Sequence, residues 1–128
     1  MPIRYTFRDC VAGGVNVIDE WLHQQPDAVR AGFLSAFKYM ADVPKGQWPG
    51  NKTFLLKHEF SGIREFRHKV GRVHYRLGGF DGPGDNEITL CSGWTRSENN
   101  ATQKRAKRRA LELKALVENG EVITVDHI

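Results

Sequence analysis

Side chains that bind phosphate and move protons recur at alternate positions in two neighbouring segments of the chain. Glu65 and Arg67 alternate in the first segment, and Arg72, His74 and Arg76 alternate in the second. Arginine suits phosphate because its planar guanidinium donates two hydrogen bonds at once. Imidazole and carboxylate groups are common general acids and bases. Because alternate side chains of a strand point to one face, each set is predicted to share a face.

Cleavage of RNA is a reaction that such a patch could support. It needs a route to deprotonate the 2′-hydroxyl, stabilisation of the pentacoordinate phosphate and a proton for the leaving oxygen. Fixed arginine charges supply much of the stabilisation, and His74 or Glu65 is the candidate for the acid–base role. The competing interpretations are an exposed histidine without a role and a salt bridge from Glu65 to Arg67.

The candidate residues lie in a part of the chain that alternates with the period of β-strands. In the second segment Val73, Tyr75 and Leu77 suit the core, which turns the arginines and His74 the other way. If Phe66 belongs to the core, Glu65 and Arg67 point to the opposite face of the sheet, which no helix is expected to cover. Arg64 then points to the same side as Phe66, near the edge of that face. Gly62 and Gly71 mark tight joints. Four strands are predicted, over 54–60, 63–70, 72–80 and 87–94.

The segments before and after these strands show either the spacing of helices or further alternation. A strand is predicted from Ile3 to Arg8, and the last segment, 121–125, is a candidate edge strand. Helices are predicted at 15–24, from Pro26 to about Val43 and at 102–118. Separate blocks of helix and strand indicate one α+β domain over residues 1–128, with the helices on one face of the sheet and the other face open. The predicted order is an N-terminal strand and a helical hairpin packed on one face of a mainly antiparallel sheet, with a basic C-terminal helix.

Charge is concentrated in two basic blocks. Between Lys52 and Arg76 there are seven Lys or Arg against two acids, and between Arg96 and Lys114 again seven against two. The formal net charge is +4. Two such blocks on one small domain favour a polyanion as partner, and the competing interpretation is a solvated basic surface.

Several other classes of protein are disfavoured. Cys10 and Cys91 have no metal or redox spacing, and no histidine pair has metal-ligand spacing with supporting carboxylates, so neither a metal nor a cofactor is predicted. The N-terminus lacks the long apolar run of a signal peptide or membrane span. We therefore expect a cytoplasmic location.

Three strand motifs precede the basic helix, and they are Gly62-Ile-Arg-Glu-Phe-Arg67, Gly71-Arg-Val-His-Tyr-Arg-Leu77 and Glu87-Ile-Thr-Leu-Cys-Ser-Gly-Trp94. Together with that helix they resemble the RelE/ParE toxin superfamily, with the phage-derived Gp49-like (HigB-type) branch nearest. The resemblance covers about Phe54 to Val117 and depends on the order and spacing of the motifs. Thr95 stands where that family often has an arginine, with Arg96 as its neighbour.

The resemblance implies the toxin of a type II toxin–antitoxin pair that cuts mRNA on the ribosome without a metal. Its implied partners are mRNA, the ribosome and an antitoxin of the helix-turn-helix kind. The expected catalytic residues are Glu65, Arg67, His74, Arg76 and Arg96. The residues expected to bind RNA are Lys57, Arg64, Arg72, Trp94, Lys104, Arg105 and Arg108. The alternatives are a ParE-like inhibitor of DNA gyrase and a phage-derived protein that binds nucleic acid without catalysis.

Overall fold

The computed structural model describes residues 4–127, and these form an α+β fold of three α-helices and one mixed sheet of seven strands. The fold class predicted from the separate blocks of helix and strand is therefore confirmed. The helices are α1 (Val17–His23), α2 (Asp27–Ala41) and α3 (Asn100–Glu118). The strands are β1 (Thr6–Ala12), β2 (Val15–Asn16), β3 (Thr53–Leu55), β4 (Arg64–Val70), β5 (Val73–Asp81), β6 (Glu87–Thr95) and β7 (Ile123–Asp126).

The sheet has the strand order β2-β1-β6-β5-β4-β3, and β7 pairs with β1. Only the pairing of β1 with β6 is parallel, whereas the other pairings of the described strands are antiparallel. Strand β7 is the edge strand that the weak alternation near the end of the chain predicted. Within residues 4–127, no helix combines the length and the apolar character that crossing a bilayer requires.

Two strand predictions have the wrong bounds. The first strand runs to Ala12, beyond the predicted end at Arg8, because its second half pairs with β7; its predicted start, Ile3, lies outside the described residues. The strand predicted over 54–60 ends at Leu55, since His58 has a φ of 59° and begins a short 3-10 turn. That left-handed backbone conformation is incompatible with a continuous strand.

The helices do not all lie on one face of the sheet, which corrects the expected arrangement. Helices α1 and α2 cover the face that carries Phe66 and Leu77. Helix α3 packs on the opposite face, where its Ala110 and Leu113 meet Cys91 and other buried side chains. The apolar stripe of an amphipathic helix shows that the helix is packed against a core, but not which face of the sheet it covers.

Glycines at two positions set the geometry that the site needs. Gly71 takes a φ of 61° in the turn between β4 and β5, a conformation that glycine adopts without steric cost. This turn fixes a register in which Arg67 lies opposite Arg76. Gly78 leaves space for the ring of Trp94, because a Cβ there would lie 2.8 Å from that ring.

Candidate functional site

Four basic side chains are brought together by the pairing of β4 with β5. Arg67 lies directly opposite Arg76, and Lys69 lies directly opposite His74. Directly opposed residues of an antiparallel pair point to the same face of the sheet. Their face is the one that α3 covers in part, but α3 begins beside these residues instead of lying over them.

A polar cavity of about 610 Å³ opens between this sheet face and the beginning of α3. We call it the arginine cavity. Arg67, Arg76 and Arg96 contribute its positive charge. The remaining lining residues come from the segment that leads into α3 and from its first turn, and they are Glu98, Asn99, Asn100 and Gln103.

Arg76 is the most enclosed cation of the arginine cavity. The residue is only 8% exposed, and its Nε has no hydrogen-bond partner among the described residues. Burial lowers the pKa of Arg76, Glu65 opposes this effect, and the charges of Arg67 and Arg96 add to the lowering. An anion in the cavity would offset the repulsion between these cations.

Glu65 lies beneath the arginines as their counter-ion. Its side chain is 1% exposed. One oxygen accepts a 2.6 Å hydrogen bond from Arg67 Nε, and the other lies 3.7 Å from an Arg76 nitrogen. The guanidinium of Arg67 also stacks 4.1 Å from the ring centroid of Phe54. Glu65 does not line the arginine cavity, and its two oxygens are directed at Arg67 and Arg76, as the salt-bridge interpretation expects.

His74 borders a second cavity of about 300 Å³, which Arg72, Val73, Arg96 and Ser97 also line. We call it the histidine cavity. The pKa of His74 lies below its ordinary value of 6.5, first because of desolvation and then because of the positive charges of Lys69, Arg96, Arg76 and Arg67. At neutral pH the imidazole is therefore uncharged and can accept a proton when a phosphate neutralises its surroundings.

The segment from Arg96 to Asn99 is held by hydrogen bonds at both of its ends. Arg96 donates its backbone N–H to the His74 carbonyl at 3.0 Å. Gln103 donates its side-chain amide to the carbonyls of Arg96 and Glu98, at 3.1 and 2.7 Å. Asn99 caps α3 by accepting the Thr102 N–H at 2.8 Å. The positive end of the helix dipole therefore points at the arginine cavity, where it favours an anion.

Two residues expected to bind RNA lie elsewhere. Trp94 is 0% exposed, and it packs beneath α3 with the ammonium of Lys107 6.0 Å from its ring, so it cannot stack on a base. Arg64 points to the opposite face, where it forms two hydrogen bonds with Asp81, of 2.9 and 3.0 Å, and stacks on Trp48. The burial of Trp94 contradicts its predicted contact with RNA, because the helix that covers it is remote in sequence. Arg64 lies on the Phe66 side of the sheet, as its position in the strand predicted.

The other residues expected to bind RNA are exposed. Arg72 lines the histidine cavity, whereas Lys57 lies in the loop before β4 and away from both cavities. Lys104, Arg105 and Arg108 lie on the exposed side of α3. Lys104 and Arg108 follow Asn100 at steps of four residues, so they form one stripe that leads away from the arginine cavity along the helix.

Sequence reasoning missed the cavity residues that precede α3 or form its first turn. The helix was predicted to begin at Thr102, yet it begins at Asn100 with Asn99 as its N-cap. The asparagine pair was the signal that could have placed this start, because asparagine is among the preferred N-cap residues. A corrected start would have placed Glu98 and Gln103 beside Arg96.

Comparisons of the chain with protein-family models, curated proteins and solved structures give no match. Across residues 4–127, no group of three or more His, Cys, Asp or Glu side chains is placed to hold a metal ion. The positive potential of the arginine cavity comes from three guanidinium groups and a helix N-terminus.

Proposed function

We propose that this protein is an endoribonuclease that cuts mRNA in the manner of the RelE/HigB-type toxins it resembles, with the arginine cavity as its phosphodiester site. The observation that supports this most directly is the convergence of Arg67, Arg76 and Arg96 on one polar cavity at the N-terminus of α3. His74 lies beside the same arginines as a group that exchanges protons.

The arrangement suits the charge that develops when a 2′-oxygen attacks the neighbouring phosphorus. The non-bridging oxygens gain negative charge in the pentacoordinate transition state. Arg67 and Arg76 are already oriented by Glu65, so they stabilise this charge without reorganising. The guanidinium groups occupy the role that a metal ion has in other nucleases, and we propose that the reaction needs no metal.

The order of elements is compatible with the toxin resemblance. A strand and a helical hairpin precede the antiparallel strands, and a basic helix follows them. Under this proposal the protein acts in the cytoplasm on ribosome-bound mRNA, and a helix-turn-helix antitoxin neutralises it by covering the basic face. The predicted catalytic arginines Arg67, Arg76 and Arg96 would be the residues that the antitoxin shields.

Induction of the gene in bacteria tests this proposal. We expect growth arrest and transcripts cut within their coding regions, and we expect both effects to disappear when Arg67 and Arg96 are replaced by alanine together. Lys38→Ala is the matched control, since Lys38 is an exposed cation of α2 on the other face. Growth arrest with intact transcripts and blocked DNA supercoiling would contradict the proposal and indicate the gyrase inhibitor instead.

RNA affinity is expected to rise as the pH falls, because of His74. In the free folded protein the pKa of His74 lies below its ordinary value of 6.5. A bound phosphate raises the pKa of His74, so RNA binding is accompanied by uptake of a proton. Uptake of one proton on binding changes the RNA affinity by at most about tenfold per pH unit. Fluorescence anisotropy with a 2′-O-methyl oligonucleotide, between about pH 5.5 and 8, measures this change. His74→Gln should flatten the profile, whereas His23→Gln on α1 should not; an unchanged profile in His74→Gln would contradict this assignment.

The stripe on α3 is expected to contribute affinity without sequence preference. Removing Lys104 and Arg108 together should lower RNA binding by a similar factor for every sequence. It should reduce the slope of log affinity against log salt by about 1.4, because each phosphate contact with a single strand contributes about 0.7. Titrations at several salt concentrations measure this slope, and a slope equal to that of the wild type would show that the stripe does not contact RNA.

A further inference from the structure

Among residues 4–127, Glu98 is the one carboxylate that lines the arginine cavity. It lies in the turn between β6 and α3 and is half-buried. Its Oε1 accepts hydrogen bonds from the backbone N–H of Thr95 at 3.2 Å and from the Thr95 hydroxyl at 3.3 Å. Both bonds use the same oxygen, so the carboxylate is held in place while Oε2 remains available to accept a proton.

Glu98 has no ion pair among the described residues, although Arg67, Arg76 and Arg96 line the same cavity. This distinguishes it from Glu65, whose two oxygens are both directed at arginines. A carboxylate that served only as counter-ion would lie within salt-bridge distance of the guanidinium groups, as Glu65 does. Glu98 therefore lines the cavity without pairing with its arginines, and its hydrogen bonds to Thr95 hold it there.

The arginine cavity and the histidine cavity share Arg96 as a lining residue. Glu98 lines the first cavity and His74 lines the second, so the two proton-exchanging groups border different cavities that meet at Arg96. In-line displacement at phosphorus uses a base and an acid at separate positions, since the attacking 2′-oxygen and the departing 5′-oxygen lie on opposite sides of the phosphorus atom.

We propose that Glu98 is the general base of the reaction, and this inference rests on the function proposed above. Glu98 Oε2 takes the proton from the 2′-hydroxyl as the bond from the 2′-oxygen to phosphorus forms. The bond from phosphorus to the 5′-oxygen breaks, and protonated His74 gives its proton to that oxygen. The products are a 2′,3′-cyclic phosphate and a 5′-hydroxyl, and no oxidant or other reactant is consumed.

His74 suits the role of acid only when the phosphodiester is bound. In the free protein the pKa of His74 is lowered first by desolvation and then by the cations that face it, which are Lys69 and Arg67 from β4, Arg76 from β5 and Arg96 after β6. The charge of the bound phosphate offsets these cations, so the imidazole gains its proton as the substrate arrives.

Glu98→Gln separates proton transfer from structure. Glutamine keeps a side-chain oxygen that can accept both hydrogen bonds from Thr95, but it cannot accept the proton. Loss of a general base typically costs about 10²- to 10⁴-fold in rate, so we expect kcat to fall by at least about 10²-fold. The affinity for a 2′-O-methyl oligonucleotide should stay equal or increase, because a negative charge is removed from the cavity. Glu20→Gln, an exposed position of α1, is the matched control.

The pH profile provides a readout that a purely structural role would not change. In Glu98→Gln the residual cleavage should increase with hydroxide concentration, since solvent hydroxide then has to deprotonate the 2′-hydroxyl. If the wild type cleaves RNA and Glu98→Gln keeps kcat within about threefold of it, only the assignment of Glu98 is overturned. Loss of a general base lowers the rate by about 10²-fold or more. Wild-type protein that leaves RNA whole, free or on ribosomes, would overturn the proposed function and this inference together.

Discussion

Arg76→Ala is expected to lower kcat for RNA cleavage by about 10²- to 10³-fold, which is the usual cost of removing one preorganised donor to a developing oxyanion. Arg76 combines near-complete burial with an Nε that has no partner among the described residues. Its charge therefore acts on the phosphate with little screening by water. Single-turnover cleavage of a labelled oligoribonucleotide by purified protein measures the effect.

Two further variants show whether such a loss is chemical or structural. Removing Arg76 leaves Glu65 with Arg67 as its remaining partner, so thermal unfolding must accompany the rate measurement. Arg76→Lys keeps the positive charge but loses the planar fork, and we expect it to stay folded while cleaving far more slowly than wild type. Lys38→Ala should cleave normally. If Arg76→Lys retained the wild-type rate, the donor geometry of Arg76 would not matter for catalysis.

Trp94→Ala is expected to lower the free energy of unfolding by about 3–5 kcal/mol, the usual cost of truncating a buried large aromatic side chain. The side chain is 0% exposed and fills the space between the sheet and α3 that Gly78 leaves open. The cavity left by alanine cannot close without moving α3, whose first turn borders the arginine cavity. Urea denaturation measures the loss.

Trp94→Phe distinguishes a core residue from one that stacks on RNA. The indole Nε1 is buried without a hydrogen-bond partner among the described residues, so phenylalanine removes an unsatisfied donor along with some volume. We expect this variant to be less destabilised than Trp94→Ala and to bind RNA as tightly as wild type. A large loss of RNA affinity in a stably folded Trp94→Phe protein would contradict the buried position.

Strand pleating was the part of the site that sequence could predict. The alternation around Tyr75 and Phe66 placed Arg67 and Arg76 on one face, and the register set by Gly71 makes them direct neighbours. Position along a strand determines the face of each side chain, and this needs no knowledge of the rest of the chain. The same reasoning placed Arg64 on the face of Phe66.

The packing of α3 could not be predicted in the same way. Its stripe of Ala110, Leu113 and Val117 indicates burial, but either face of the sheet could receive it. The choice of face makes Trp94 a core residue and brings Glu98 beside Arg76. Contacts between segments distant in sequence decide which face α3 covers, so the sequence alone does not show that Glu98 shares a cavity with Arg67 and Arg76.

The central claim is that the arginine cavity cuts RNA through attack by a 2′-oxygen. Purified protein should be incubated with a labelled transcript in two settings, free in EDTA and on translating ribosomes in a magnesium buffer. The fully 2′-O-methylated transcript, free in EDTA, is incubated beside them. We predict cleavage of the unmodified transcript alone, with 2′,3′-cyclic phosphate ends. An unmodified transcript that stays whole in both settings, or a methylated one that is cut, would contradict the account.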